Sequence, residues 1–114
     1  MVADEDVAAL KRWAERKGDD ARAAVGLLVE HDHWLWNGEF EKRCVRRAHG
    51  EVFLDFAEMA RLHWEGCAAS ESQAAILLAA ADLGSGRWRI FTMDYRNRER
   101  IVRAVAIAAG QAPA

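Results

Sequence analysis

Helix start and stop signals recur at short intervals along the chain, and this spacing limits the fold more than any other feature. Gly18, Asn37 and Gly84 separate segments in which apolar residues repeat every three or four positions. No segment alternates apolar and polar residues over the length of a strand. The sequence therefore predicts an all-α fold, a compact irregular bundle of five to six short helices.

The first five helices have recognisable beginnings and ends. One is predicted over residues 4–17, and a second from a cap at Asp19 or Asp20 to about residue 35. A third, shorter helix has an inner face formed by Phe40, Cys44 and Val45. Asp55 is expected to cap a fourth. The capping-box sequence at residues 70–73 is expected to begin a fifth, which continues to about residue 83.

A sixth helix is predicted near the C-terminus. Asp94 caps it, and Gly110 follows its last turn. The spacing of its apolar residues predicts a buried stripe, which consists of Ile101, Val102, Val105 and Ala108. At most one short β-hairpin fits between the helices, with residues 52–54 and 88–91 as its strands.

Size and composition predict a single domain over residues 1–114. Such a chain buries about two-thirds of the surface that it exposes when unfolded, so it needs neither a disulfide nor a metal. No run of about 20 apolar residues is present to span a membrane. Acidic residues near the N-terminus do not fit a secretory signal. We therefore expect a cytoplasmic protein whose two cysteines are reduced.

The net charge of −2 conceals segregated charge. Residues 50–82 contain six acidic side chains and one arginine, whereas residues 86–103 contain six arginines and two acidic side chains. A second basic segment, residues 41–47, contains Lys42, Arg43, Arg46 and Arg47. The net charge therefore argues neither for nor against nucleic-acid binding, and the local charge leaves it open.

The arginine-rich C-terminal helix is the best candidate for a functional surface. Arg96, Arg100 and Arg103 share one helical face, and Trp88 lies in the loop before it. This set can bind a protein partner, including a second copy, or a phosphate backbone. It can also be a solvated face that Glu99 partly neutralises. At least one of the five tryptophans is expected at the surface, because Trp34 and Trp36 cannot both face inward from a regular helix.

Four residues have side chains that zinc prefers: Cys44, His49, His63 and Cys67. Their spacing lacks the close cysteine pair of most zinc modules. Packing of Cys44, His63 and Cys67 on apolar helix faces is the more common explanation, because free cysteine is among the most buried residue types. We therefore expect no metal and no cofactor, and a zinc-stabilised small domain remains an alternative.

No catalytic motif is visible, and we expect no enzyme. The chain has neither the glycine-flanked serine of the hydrolases nor a phosphate-binding loop. Capping explains Ser70. His31 fits the apolar stripe of its helix, whereas His33 is expected to face solvent.

Several segments together resemble a group of known proteins. They are residues 27–35, 39–40, 72–83 and 93–97, with Ile101, Val102, Ala106 and Gly110. Over about residues 20–110 the chain is similar to small uncharacterised helical proteins of actinobacteria and their phages. The resemblance implies such a source and a helical fold, but no activity.

The leading hypothesis is a non-enzymatic protein-interaction module, a phage or mobile-element accessory protein that binds and modulates another protein or pairs with itself. Its predicted binding residues are Trp88, Arg96, Arg100 and Arg103. The alternative is a nucleic-acid-binding regulator that uses the C-terminal helix with the basic segment 41–47.

Overall fold

The computed structural model describes residues 1–67, 69–87 and 94–111, which form six α-helices, a 3₁₀ turn and one β-hairpin. The mainly helical prediction is confirmed. In chain order the elements are α1 (Asp4–Lys17), α2 (Asp19–His31), the 3₁₀ turn (Trp34–Trp36), α3 (Gly38–Cys44), β1 (Val45–Ala48), β2 (Glu51–Leu54), α4 (Phe56–Glu65), α5 (Glu71–Gly84) and α6 (Tyr95–Ala108).

Four helices begin where a polar side chain accepts a backbone N–H group of the first turn, at distances of 2.9 to 3.1 Å. These caps are Asn37 for α3, Asp55 for α4, Ser70 for α5 and Asp94 for α6. The predicted capping box is confirmed, because the Ser70 N–H group also donates to the Gln73 side chain at 2.9 Å. The cap predicted for α2 is wrong: Gly18 precedes the helix, and both aspartates lie in its first turn.

The second helix ends earlier than predicted, at His31, because Asp32 adopts the left-handed conformation with φ 57° and ψ 39°. The 3₁₀ turn follows. It directs Trp34 and Leu35 inward and leaves the Trp36 side chain 58% exposed. Trp64 on α4 is 73% exposed. The prediction of at least one surface tryptophan is therefore confirmed.

The β-hairpin joins strands that the sequence did not pair. β1 and β2 are antiparallel, with Val45 opposite Leu54. His49 and Gly50 both have positive φ angles, 53° and 76°, as the type I′ turn of a two-residue hairpin loop requires. Residues 45–48 are therefore the partner of residues 52–54, and Val45 belongs to a strand rather than to α3. The stretch 88–91 lies outside the described residues.

The hydrophobic core lies between the first five helices and the hairpin. α5 packs against α2 and α4, while α1 packs against α2 and β2. Trp34 and Phe40 are fully buried, with ring centroids 6.0 Å apart. In the part of the chain that the structure describes, every buried hydrophobic side chain lies between Val2 and Ala81.

The apolar stripe of α6 is exposed, and the prediction that it is buried is wrong. Ile101 is 38% exposed, Val102 59% and Val105 49%, and Ala108 is exposed as well. No residue of this helix is buried. The helix itself and its Asp94 cap are as predicted, because both depend on local sequence, whereas burial depends on a surface that covers the stripe.

Gly84, the last residue of α5, is buried where the Phe56 ring crosses the helix backbone. A Cβ atom at this position would overlap three carbon atoms of that ring. The contact between α4 and α5 therefore requires glycine here. Gly26 in α2 is different, because a Cβ atom there would meet nothing within 4 Å.

We predict opposite effects for alanine at these two positions. Gly84→Ala should lower the free energy of unfolding by about 1–3 kcal/mol, because the added methyl group displaces the Phe56 ring. Gly26→Ala should raise it by about 0.4–1 kcal/mol, because alanine restricts the unfolded chain. Urea unfolding of the two variants measures both changes. Equal effects would contradict the close packing of Phe56 on Gly84.

Candidate functional site

The predicted arginine face lies on the surface of α6. Arg96, Arg100 and Arg103 are all exposed. The Arg100 guanidinium donates a hydrogen bond to Asn97 Oδ1 at 3.0 Å. Within the described residues neither Arg96 nor Arg103 forms an ion pair, so Glu99 does not neutralise this face through a salt bridge to either of them. Trp88, the fourth residue of the predicted set, lies outside the described residues.

The same helix exposes an apolar face. Val102 and Val105 are separated by 60° around the helix axis, since successive residues advance by about 100°. Arg96 and Arg103 lie about 100° or more from both valines. Tyr95 adds an aromatic ring that is 75% exposed at the start of the helix. α6 is therefore amphipathic, with a basic face and an apolar strip, next to Arg98, that both contact solvent.

The second basic segment is neutralised within the protein. The Arg43 guanidinium lies 2.6 Å from carboxylate oxygens of both Glu58 and Glu65, and 3.4 Å from Glu39. Hydrogen bonds to Glu65 and Glu58 raise the pKa of Arg43, and hydrogen bonds from Arg43 and Arg61 lower the pKa of Glu58. The acidic block of residues 50–82 therefore supplies partners for this basic segment.

The two remaining arginines of the segment are also paired. Arg46 lies 3.3 Å from Asp55, and Arg47 lies 2.8 Å from Asp6 and 3.3 Å from Glu41. A phosphate backbone would have to replace these partners. Of the basic residues predicted for a nucleic-acid surface in this segment, Lys42 is the one that has no carboxylate partner in the described part of the chain.

The four candidate zinc ligands are not brought together. Cys44 is fully buried in the core, and His49 lies in the hairpin turn. His63 Nδ1 lies 3.1 Å from the Ala74 carbonyl oxygen, and Cys67 follows the end of α4. Over the described ranges the structure contains no group of three or more His, Cys, Asp or Glu side chains that could hold a metal ion.

Burial also makes Cys44 a poor metal ligand. It raises the pKa of the Cys44 thiol to about 12, so that roughly 10⁻⁴ of the thiol is ionised at pH 8. Metal binding and nucleophilic attack both require the thiolate. Cys44 therefore behaves as a small apolar core residue.

We predict that the two thiols differ in reactivity. In the native protein at pH 8, Ellman's reagent should label the partly exposed Cys67, whereas Cys44 should react only after unfolding. Absorbance titration with and without denaturant counts the reactive thiols, and a Cys67→Ser variant isolates Cys44. Reaction of Cys44 in the native variant as fast as in the denatured one would contradict its burial.

A polar cluster at the start of α5 has no counterpart in the sequence predictions. The capping box occupies Gln73 Oε1, so the amide nitrogen of Gln73 donates to His33 Nδ1 at 3.1 Å. The Gln73 carbonyl oxygen accepts the Trp34 indole N–H at 2.9 Å. The prediction that His33 faces solvent is therefore wrong. His33 instead positions α5 against the end of α2.

Two buried nitrogens in this cluster, His31 Nδ1 and His33 Nε2, have no hydrogen-bond partner among the described residues. The two imidazole centroids are 6.3 Å apart. The arrangement provides no nucleophile and no carboxylate pair. Its identifiable contribution is structural, through the contacts of Gln73.

No helix in the described part of the chain is long and apolar enough to span a bilayer. Comparisons of the chain with protein-family models, with curated proteins and with solved structures found no match in any of the three.

Proposed function

We propose that this chain is a non-enzymatic interaction module that binds a protein partner through α6. The observation that supports the proposal is a helix of 14 residues with an amphipathic sequence and no buried residue. Helices of this length have marginal stability in water, and most helices in proteins are stabilised by packing of an apolar face. A partner that covers this face would stabilise the helix.

The chemistry of α6 describes the partner. Val102 and Val105 require an apolar strip on the opposing surface, because contact with it removes both side chains from water. Four arginines and one glutamate give the helix a net positive charge, which favours a partner surface of opposite charge. The expected partner is therefore a folded protein whose surface is acidic and carries an apolar strip.

Binding to nucleic acid is the alternative function, and the pairing of Arg43, Arg46 and Arg47 makes it the weaker one. It would use the arginine face of α6 without the support of the second basic segment. The two functions differ in their dependence on salt, because displacement of counterions makes phosphate binding fall steeply as salt concentration rises. A source in actinobacteria or their phages, an accessory role and a cytoplasmic location stay predictions.

We predict that a photoreactive amino acid at position 102 forms a covalent adduct with a protein in the native host. The residue would replace Val102, whose side chain is 59% exposed and would lie in the contact. The same reactive residue at Ala75, an exposed position on α5, should give no such adduct. Electrophoresis followed by mass spectrometry identifies the adducts, and nuclease treatment should not change them.

A double variant tests the same contact without a crosslink. Val102→Asp with Val105→Asp should reduce partner capture at least about tenfold and change the free energy of unfolding by less than about 0.5 kcal/mol. Ala8→Asp with Ala75→Asp is the matched control, because it adds the same charge at two exposed helical positions. Equal capture by both variants would reject α6, and loss of binding after nuclease treatment would favour the alternative function.

A further inference from the structure

We propose that the contact between His33 and Gln73 is a pH-sensitive switch, in which protonation of His33 at Nδ1 releases the start of α5 from the end of α2. The inference concerns the body of the molecule and does not depend on the partner of α6. It follows from the direction of two hydrogen bonds that meet at the Gln73 side-chain amide.

The capping box fixes the orientation of the Gln73 amide. Its Oε1 atom accepts the Ser70 backbone N–H group at 2.9 Å, so the amide nitrogen is the atom that faces His33. An amide nitrogen donates hydrogen bonds and does not accept them. His33 Nδ1, which lies 3.1 Å from it, is therefore the unprotonated nitrogen of the ring, and the hydrogen of the neutral imidazole is on Nε2.

Protonation replaces this hydrogen bond with two opposed donors. The lone pair of the neutral ring is on Nδ1, so an added proton is placed there and faces the amide hydrogens of Gln73. Rotation of the amide by 180° would present Oε1 to His33, but it would turn the amide nitrogen towards the Ser70 N–H group and break the capping box. Rotation of the imidazole would instead break the contact between α5 and the end of α2. Either movement loses one of the two bonds at the Gln73 side chain.

The second ring nitrogen of His33 does not compensate for this loss. Nε2 is buried and has no hydrogen-bond partner among the described residues. An imidazolium has two N–H donors, and in the native contact neither would meet an acceptor. A buried charge without a bonded partner is unfavourable, so the native structure opposes protonation of this ring.

The surrounding titratable groups do not supply an acceptor. His33 contacts the end of α2, the 3₁₀ turn and the start of α5. The titratable side chains of these segments are Glu30, His31, Asp32 and Glu71. Within the described residues none of them forms an ion pair or a hydrogen bond with His33. Asp32 accepts the Trp36 indole N–H, and His63 of α4 contacts a carbonyl oxygen of α5. A proton on His31, whose ring centroid is 6.3 Å away, would add a like charge.

Urea unfolding at pH 8 and pH 5.5 tests the switch. An imidazole in an unfolded chain takes up a proton below about pH 6.5. Because the native contact opposes that proton, the unfolded state binds more protons, and the folding equilibrium constant decreases as the pH falls. His33→Asn is the matched control, since an amide oxygen can accept the Gln73 hydrogen bond and does not titrate. The constant of the wild type should fall about three- to tenfold more than that of His33→Asn.

Gln73→Glu should reverse the sign of this effect. The introduced carboxylate keeps one oxygen for the Ser70 N–H group, as in a capping box with glutamate, and presents the other oxygen to His33 Nδ1. The protonated ring then has an acceptor of opposite charge. Relative to the double variant Gln73→Glu, His33→Asn, the folding equilibrium constant should therefore rise as the pH falls. A role of Gln73 in packing alone would not change the sign.

Long-range ¹H–¹⁵N NMR spectra of the wild-type chain locate the ring hydrogen directly. At pH 8 it should be on His33 Nε2. As the pH falls, the Ser70 amide resonance should shift with the same midpoint as the His33 ring, because the capping box links the two. The Asn97 amide, which donates to the Asp94 cap of α6, should not follow that midpoint.

Three outcomes would overturn the inference. They are equal pH dependence of the wild type and His33→Asn, a Gln73→Glu variant that keeps the wild-type sign, and a ring hydrogen on Nδ1 at pH 8. Circular dichroism establishes that each variant is folded. If His33→Asn does not fold, the NMR titration of the wild-type chain decides alone.

Discussion

The buried indole of Trp34 connects the two halves of the core, and the rest of the fold depends on this contact. Its ring packs beside Phe40 at the start of α3, and its N–H group donates to the Gln73 carbonyl oxygen in the first turn of α5. Gln73 also closes the capping box and donates to His33. One residue of α5 therefore fixes where that helix begins and how it meets the end of α2.

This arrangement forms the core without α6. In the described residues the buried hydrophobic side chains end at Ala81, so the C-terminal helix contributes none of them. The arginines also differ between the body of the molecule and α6. The body of the molecule pairs Arg43, Arg46 and Arg47 with its own carboxylates, whereas the arginine face of α6 remains exposed to solvent. The exposed apolar face, together with Arg96 and Arg103, which form no ion pair within the described residues, is why we propose that the chain functions through α6.

The sequence predicted features that depend on residues close together in the chain. The Ser70 side chain accepts the Gln73 N–H, and the Ser70 N–H donates to the Gln73 side chain, so both bonds span three residues; the Asp94 side chain likewise accepts the Asn97 N–H at the start of α6. Features that depend on distant residues were missed: the hairpin partner of residues 52–54, and the contact between His33 and Gln73, which are 40 residues apart. The periodicity of α6 indicates which apolar residues share a face, but it cannot show whether another surface covers that face, and the predicted burial of this stripe was wrong.

Thiol labelling at position 102 tests most directly whether α6 is exposed in the free chain and covered in the complex with its partner. A Val102→Cys substitution in a Cys67→Ser background places the single accessible thiol on the apolar face. Our account predicts rapid labelling of the free chain and labelling at least about tenfold slower in the complex, whereas Ala75→Cys in the same background should be unaffected. Equal rates at position 102 in both states would contradict it.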